Sequence, residues 1–441
     1  MKTYHFPLDI KRTPQDIFSI FQNQEGSLFL DSSNDEGLSY ICFDPDKIYK
    51  WKASNANDTP FEDLQNLLDL HQPKTTFSSN IFTGGLAGYI SYDIRYVSDI
   101  NYGLKEDLST PDIYMGVYTQ VLAYAHEDKS WSYFTTCSSE TVALKNKNKL
   151  FERLEKNTDT TQKKISKLSF SPRISKAQYL KNVEKIIEYI YAGDIFQACY
   201  AQSFSADISP DFPSYNHYRH LREISPAPFS AYMNCGEAVI SSNSPERFLK
   251  VDKRHVETKP IKGTAPRFSD KDRDKHSATN LLTSKKDRAE NAMIVDLLRN
   301  DLSKVCECHS VEVPSFCKLE SFANVHHLVS TVTGELKDGK TAIDLLKATM
   351  PGGSISGAPK IRAMEIIDEM EDLRRGPYCG AMGYIGFNGN MDMNILIRTI
   401  IYTKEHATFF SGGAITSDSN PEAEYQETLD KASKLMESFS S

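Results

Sequence analysis

Apolar residues recurring at every second position, in short runs, dominate the first third of this chain. From residue 1 to about 135 such runs follow one another, as in "GSLFLDSS" (26–33) and "VYTQVLAYAHEDKSWSYFTT" (117–136). Alternation of period two gives each run one face to bury, so the region reads as strands. One helical pattern, "PFEDLQNLLDLH" at 60–71, interrupts them.

From about 138 to 173 the composition turns polar and lysine-rich around "KNTDTTQKKISK", the best candidate for a linker or domain seam. A helix is expected next. Ser175 opens a capping box with Gln178, Leu180, Val183, Ile186, Ile187 and Ile190 recur at helical spacing, and Gly193 stands where a terminating glycine belongs. "DIFQACYAQSFSADI" then reads as a strand, and "AVISSNSPERFLKVDKRHVETKP" as strands and turns. "SKKDRAENAMIVDLLRNDLSKV" reads as a helix with Ala292, Val295, Leu298 and Leu302 along one side. In "APKIRAMEIIDEMEDL" Pro359 marks a helix start, with Ile361, Met364, Ile367 and Met370 on one face. "GAMGYIGF" and "MDMNILIRTIIYT" form a hairpin pattern, and "PEAEYQETLDKASKLMESF" a terminal helix. No repeat of 20 to 50 residues is present.

At 441 residues the chain can bury a large core, and a net charge of -8 repels nucleic acid on average. "MKTYHFPLDIKR" lacks the apolar core of an export signal, and nowhere do about 18 apolar residues run together. A soluble, cytoplasmic protein without nucleic-acid or membrane partners is the expectation. The eight scattered cysteines then read as reduced thiols, and "CEC" (306–308) is not a zinc half-site.

Four glycine-rich stretches, "GGLAGYISYD", "PGGSISGAPK", "GYIGFNG" and "FFSGGAIT", match neither the dinucleotide fingerprint nor the P-loop. The second opens onto a helix start, where free N–H groups suit an anion. Glu424, Glu427 and Lys431 share one face of the last helix, and Asp287 and Glu290 one face of an earlier one. Surface ion pairs explain these spacings, and so does an oxygen-rich Mg²⁺ site. Lys262, in the rigid turn "PIKGT", is either a solvated cation or a nucleophile whose pKa is lowered by burial or nearby positive charge.

Taken together and in order, "SPERF", "PIKGT", "DRAENAMIVDLLRNDL", "PGGSISGAPK" and "GGAITSDSNPEAEYQETLDKA" resemble the chorismate-utilising enzymes. The likeness is strong over roughly 170 to 435 and extends weakly forward through "GGLAGYISYD". It implies an α+β fold of large stacked antiparallel sheets with helices outside. A β-rich region, 1–165, would pack as one intertwined unit with a chorismate-binding catalytic region, 166–441.

Two positions separate the branches of that family. Gln197 stands where isochorismate-forming members carry a water-activating lysine, and Lys262 where anthranilate-forming members typically show alanine. The resemblance thus implies amination of chorismate at C4, giving 4-amino-4-deoxychorismate for 4-aminobenzoate and folate synthesis. Lys262 would attack C2 as the C4 hydroxyl leaves, and ammonia would then attack C4 and expel the lysine. Glu246 of "SPERF" is implied as the general acid, and Glu290 and Glu427 as Mg²⁺ ligands with Glu424 as a nearby or water-mediated contact. Gly263, Thr264, Tyr384, Arg398, Gly412, Gly413 and Ala414 match chorismate-contacting positions, Lys431 fits a carboxylate partner, and His327 a histidine near the leaving group. No glutaminase motif accompanies these, so a separate glutamine amidotransferase subunit is the expected ammonia source. Ala265 departs from a common arginine, and Asp31 from the glutamate of a tryptophan-pocket motif, which argues against feedback by tryptophan. Anthranilate formation and a non-catalytic chorismate-binding regulatory subunit are the alternatives.

Overall fold

The computed structural model describes residues 1–53, 58–77, 80–97, 105–156, 164–322 and 325–440. Among these, the strands form two sheets, one of twelve strands and one of ten, with every strand ladder antiparallel. The first sheet runs from Lys2–Leu8 at one edge through Leu28–Asp31 and Phe229–Asn234 to Gln197–Asp207 and Gly357–Ala358. The second runs from Ile261–Pro266 through Ala381–Gly386 and Gly85–Ile90 to Lys47–Trp51. Each sheet therefore draws strands from both sides of residue 165.

Alternation decides what each face buries. Leu28, Tyr40, Val121 and Ile240 of the first sheet meet Ala87, Tyr89, Tyr114 and Met382 of the second in one apolar layer. On its other face the second sheet packs Val251, Ile385 and Met393 among Val295, Leu302, Leu346 and Met364 from the helices Lys285–Ser303, Ala342–Thr349 and Lys360–Met370.

Local signals hold at several expected places. Ser175 caps the helix Lys176–Tyr191 by accepting from the Gln178 N–H, and Gly193 takes φ +85° after it. Only half of the capping box forms, because the Gln178 amide turns to Asn182. Ala381–Gly386 and Met391–Ile395 pair as the expected hairpin.

Three expectations need correction. A helix, Glu140–Lys156, occupies much of the polar stretch read as a linker. It needs only the buried stripe Ala143, Leu150 and Leu154 to hold it, and Lys145 and Lys149 face water. Of the rest of that stretch, 157–163 lie outside the described residues. Ala292 faces solvent, and Asn291 and Ile294 are buried instead. Ile361 is 62% exposed, with Ala363 and Ile366 taking the inner face.

Candidate active site

Lys262 and Gly263 lie in a bulge of the edge strand Ile261–Pro266, where register with Val325–Glu335 shifts between Ile261 and Thr264. A bulge re-aims side chains, here turning Lys262 toward the cleft. Gly263 adopts φ +81°, and a Cβ there would stand 3.0 Å from Asp287, so glycine lets this strand and the helix Lys285–Ser303 close up.

The Lys262 ammonium donates to the Ser354 carbonyl at 3.2 Å. The hydroxyl of the same serine donates to Glu246 Oε1 at 3.1 Å. Glu246, 6% exposed, begins the turn into Arg247–Asp252. Burial pushes its carboxyl up to about 7, against the pull of Lys262, Ser354 and the Ile261 N–H. Lys262 departs from expectation. Burial favours its neutral form, but Cys199, Glu290, Glu246 and Glu427 outweigh burial and hold its pKa above the ordinary lysine value.

Cys199 approaches from the strand Gln197–Asp207, its thiol 3.5 Å from the Ser354 carbonyl. Gln197 shares that strand face, because Ala198 and Tyr200 point the other way into a separate apolar cluster. Its side chain is fully buried, and among the described residues neither amide atom has a hydrogen-bond partner. Ser354 and Cys199 were not singled out by sequence reasoning.

The neighbouring strand His406–Ile415 carries Gly412, Gly413 and Ala414, which pair with Ala201, Tyr200 and Cys199. Its other edge pairs with Thr399–Tyr402 only as far as Phe409, so among the described residues no strand covers the outer edge of Gly412–Ala414. The chain crosses between sheets just before Thr399, and Arg398 sits at that crossing with φ +51°. Burial lowers the pKa of its guanidinium, and among the described residues no carboxylate pairs with it. Arg398 faces His327, whose Nδ1 lies 2.9 Å from Thr264 Oγ1. Burial and Arg398 hold that imidazole neutral, at about 4.

The carboxylates converge from two helices. Glu290 of Lys285–Ser303 and Glu427 of Pro421–Glu437 act electrostatically on each other and on Lys262. Burial raises the Glu290 pKa, whereas at Glu427 burial is outweighed by Lys431, Lys286 and Lys262, and the pKa falls. A Cβ on Gly413 would stand 3.1 Å from Glu427 Oε1 and 3.4 Å from Glu424 Oε2, so the glycine keeps room in front of both. Two carboxylates close enough to act on each other suit Mg²⁺, which takes one or two protein oxygens and completes its shell from water and substrate. Among the described residues no three His, Cys, Asp or Glu side chains are grouped to hold a metal by themselves. Glu424 is engaged by Ser419 at 2.6 Å and Lys286 at 3.8 Å. Lys431 pairs with Glu427 at 2.6 Å and donates to the Gly412 carbonyl, so its carboxylate partner here belongs to the protein.

Tyr384 is not brought into this group. It shares a strand face with Met382 toward the layer between the sheets, where its ring stacks on Phe82 and meets Tyr40 edge-on. Asp31 is buried and already bound by Arg222 and the Tyr218 hydroxyl.

Residues 25–437 match the family model described as chorismate binding enzyme. The chain is 39% identical over 391 residues to aminodeoxychorismate synthase component 1 of Escherichia coli (strain K12), spanning 87% of this chain and 83% of that one. It is 35% identical over 445 residues to anthranilate synthase component 1 of Methanothermobacter marburgensis, spanning 97% and 93%. The crystal structure of anthranilate synthase component I from Streptococcus pneumoniae superposes with a TM-score of 0.82 at 32% identity, covering 91% of this chain and 92% of that one.

Proposed function

This chain belongs to the chorismate-binding enzyme family, and on that premise we propose that it aminates chorismate at C4, forming 4-amino-4-deoxychorismate. The observation that carries the reading is Lys262 facing Glu246 across Ser354. A carboxyl with a pKa of about 7 can carry a proton near neutrality and release it to a leaving hydroxyl. In the proposed sequence Lys262 first loses its extra proton to solvent, and the neutral amine bonds to C2 while the C4–O bond breaks, the oxygen leaving as water with the Glu246 proton. Ammonia then bonds to C4, the C2–N bond to Lys262 breaks, and a proton from the new amine returns to Glu246. The net change is chorismate plus ammonia to product plus water.

Arg398, without a carboxylate partner among the described residues, and the backbone edge at Gly412–Ala414 that no described strand covers suit a substrate carboxylate. Glu290 and Glu427 would hold Mg²⁺, which supplies positive charge for the ring carboxylate and offsets the carboxylates that keep Lys262 protonated. The E. coli relative is named as a component 1, which supports a second, ammonia-supplying subunit of the glutamine amidotransferase type. No described helix is long and apolar enough to cross a membrane.

Incubation of Lys262→Ala with chorismate, Mg²⁺ and ammonium, with products identified by mass and by conversion with an added lyase, tests this reading. The 4-amino product should be lost and part of the turnover diverted to the 2-amino isomer or anthranilate. Unchanged para product would sink it. Glu246→Gln should lower kcat by roughly 10²–10⁴-fold. A second reading, anthranilate formation, is favoured by the likeness to anthranilate synthase components, and the wild-type product separates the two.

A further inference from the structure

The loop that presents Ser354 is held at one end by the partly buried Lys360 and at the other by the buried Arg375, cations that take no part in the proposed chemistry. At its start the Lys360 ammonium donates to the Thr349 and Pro351 carbonyls, each at 3.0 Å, and pairs with the buried Asp301. At its end Arg375 donates to the Ile355 carbonyl at 3.0 Å and the Cys199 carbonyl at 2.6 Å. Both oxygens of Glu371 hold the Arg375 guanidinium, at 2.8 and 2.6 Å, and Glu371 also accepts the Ala201 N–H at 2.9 Å. Buried ion pairs add little net stability, because desolvation consumes the Coulombic gain. What these two do is fix carbonyls on either side of Ser354. Between the clamps, one residue meets both reacting groups: its carbonyl receives Lys262 and its hydroxyl reaches Glu246.

We propose that Ser354 is a positioning residue of the site, locked by the Lys360 and Arg375 clamps so that its hydroxyl governs the proton on Glu246 while its carbonyl places the Lys262 amine. The inference rests on the reading of Glu246 as the acid, but its central contact is measurable without turnover. The charged group facing Glu246 is Lys262, from the bulged edge strand, and its donors are the Ser354 hydroxyl and the Ile261 N–H. A hydroxyl that donates to a carboxylate favours the ionised form. Removing it must therefore move the Glu246 titration upward in pH. Replacing Ser354 leaves its carbonyl, and hence the Lys262 contact, in place.

The test titrates the protonated-carboxyl infrared band of the full chain, assigned by its loss in Glu246→Gln, and the alkaline limb of kcat at fixed free ammonia. In the wild type the carboxyl midpoint is expected near 7. In Ser354→Ala it should rise by about one pH unit, the scale of one hydrogen bond to a charged group. Ser354→Thr, which restores a hydroxyl, should return it. Should the alanine variant fold poorly, Ser354→Cys, similar in size and a far weaker donor, should show the same upward shift. A carboxyl midpoint unmoved in the alanine or cysteine variant overturns the inference. A midpoint that moves while the kcat limb stays fixed upholds the contact and counts against Glu246 as the acid.

Discussion

Replacing Gln197 by methionine should make the folded chain more stable and, in the same step, cost it amination. The glutamine side chain is fully buried, with both amide atoms unpaired among the described residues. A buried polar group without a partner costs about 1–3 kcal/mol. Methionine keeps nearly the same length and volume, carries no strong donor or acceptor and adapts to irregular space, so the packing should survive. The expected gain is therefore about 1–3 kcal/mol, a large share of the roughly 5–15 kcal/mol by which a folded domain exceeds its unfolded state. Urea unfolding followed by circular dichroism reads it as a higher midpoint at unchanged slope. The second arm measures product from chorismate and ammonium. Gln197 lies on the strand face of Cys199, whose thiol meets the carbonyl holding Lys262, so its amide should find partners when substrates fill the cleft. A destabilised methionine variant would show that the amide already has a partner in the folded protein, such as a buried water. A stabilised variant with full activity would show that the reaction does not use it. Either result refutes the reasoning.

Glu290→Gln and Glu427→Gln should each weaken Mg²⁺ binding, measured by calorimetry on the free chain, along with turnover; if both bind the ion as the wild type does, the ligand assignment is wrong. Arg375→Met should cost about 3–5 kcal/mol, because it leaves Glu371 buried without its cation. Adding Glu371→Gln to that variant should recover part of the loss in urea unfolding, and a double variant no more stable than the single would argue against the clamp.

Much of the fold was legible where one residue type decides the local backbone. Ser175 at a helix start, Gly193 at its end and the alternation across 380–395 each carry their own signal. Strand order carries none, since nothing near Leu28–Asp31 announces its pairing with Phe229–Asn234. The Glu140–Lys156 helix was hidden because three buried residues suffice to anchor it under a polar majority. Within the site, Lys262, Glu246, Glu290 and Glu427 were read from their motifs, and the three carboxylates do act on the Lys262 ammonium. Tyr384 lies apart from this group, since alternation shows that it shares a face with Met382 but not which face lines the cleft. Ser354 lay within a motif noted for its N–H groups, yet its carbonyl and hydroxyl are what reach the centre. Cys199 looked like a bystander because long-range pairing, with Ala414 on one side and the Ser356 carbonyl on the other, brings its strand to the cleft.

The interleaving of early and late strands also sets a timetable for synthesis. Leu28–Asp31 waits for Phe229–Asn234, about 200 residues later, and Gly85–Ile90 for Ala381–Gly386, about 300 residues later. At roughly 5–20 residues per second on the ribosome, those edges stay unpaired for about 10–60 s. Unpaired edges of apolar strands invite pairing with other chains. The nascent protein should therefore depend on chaperones until its last hundred residues emerge, and the two halves expressed separately should each aggregate while co-expression rescues both.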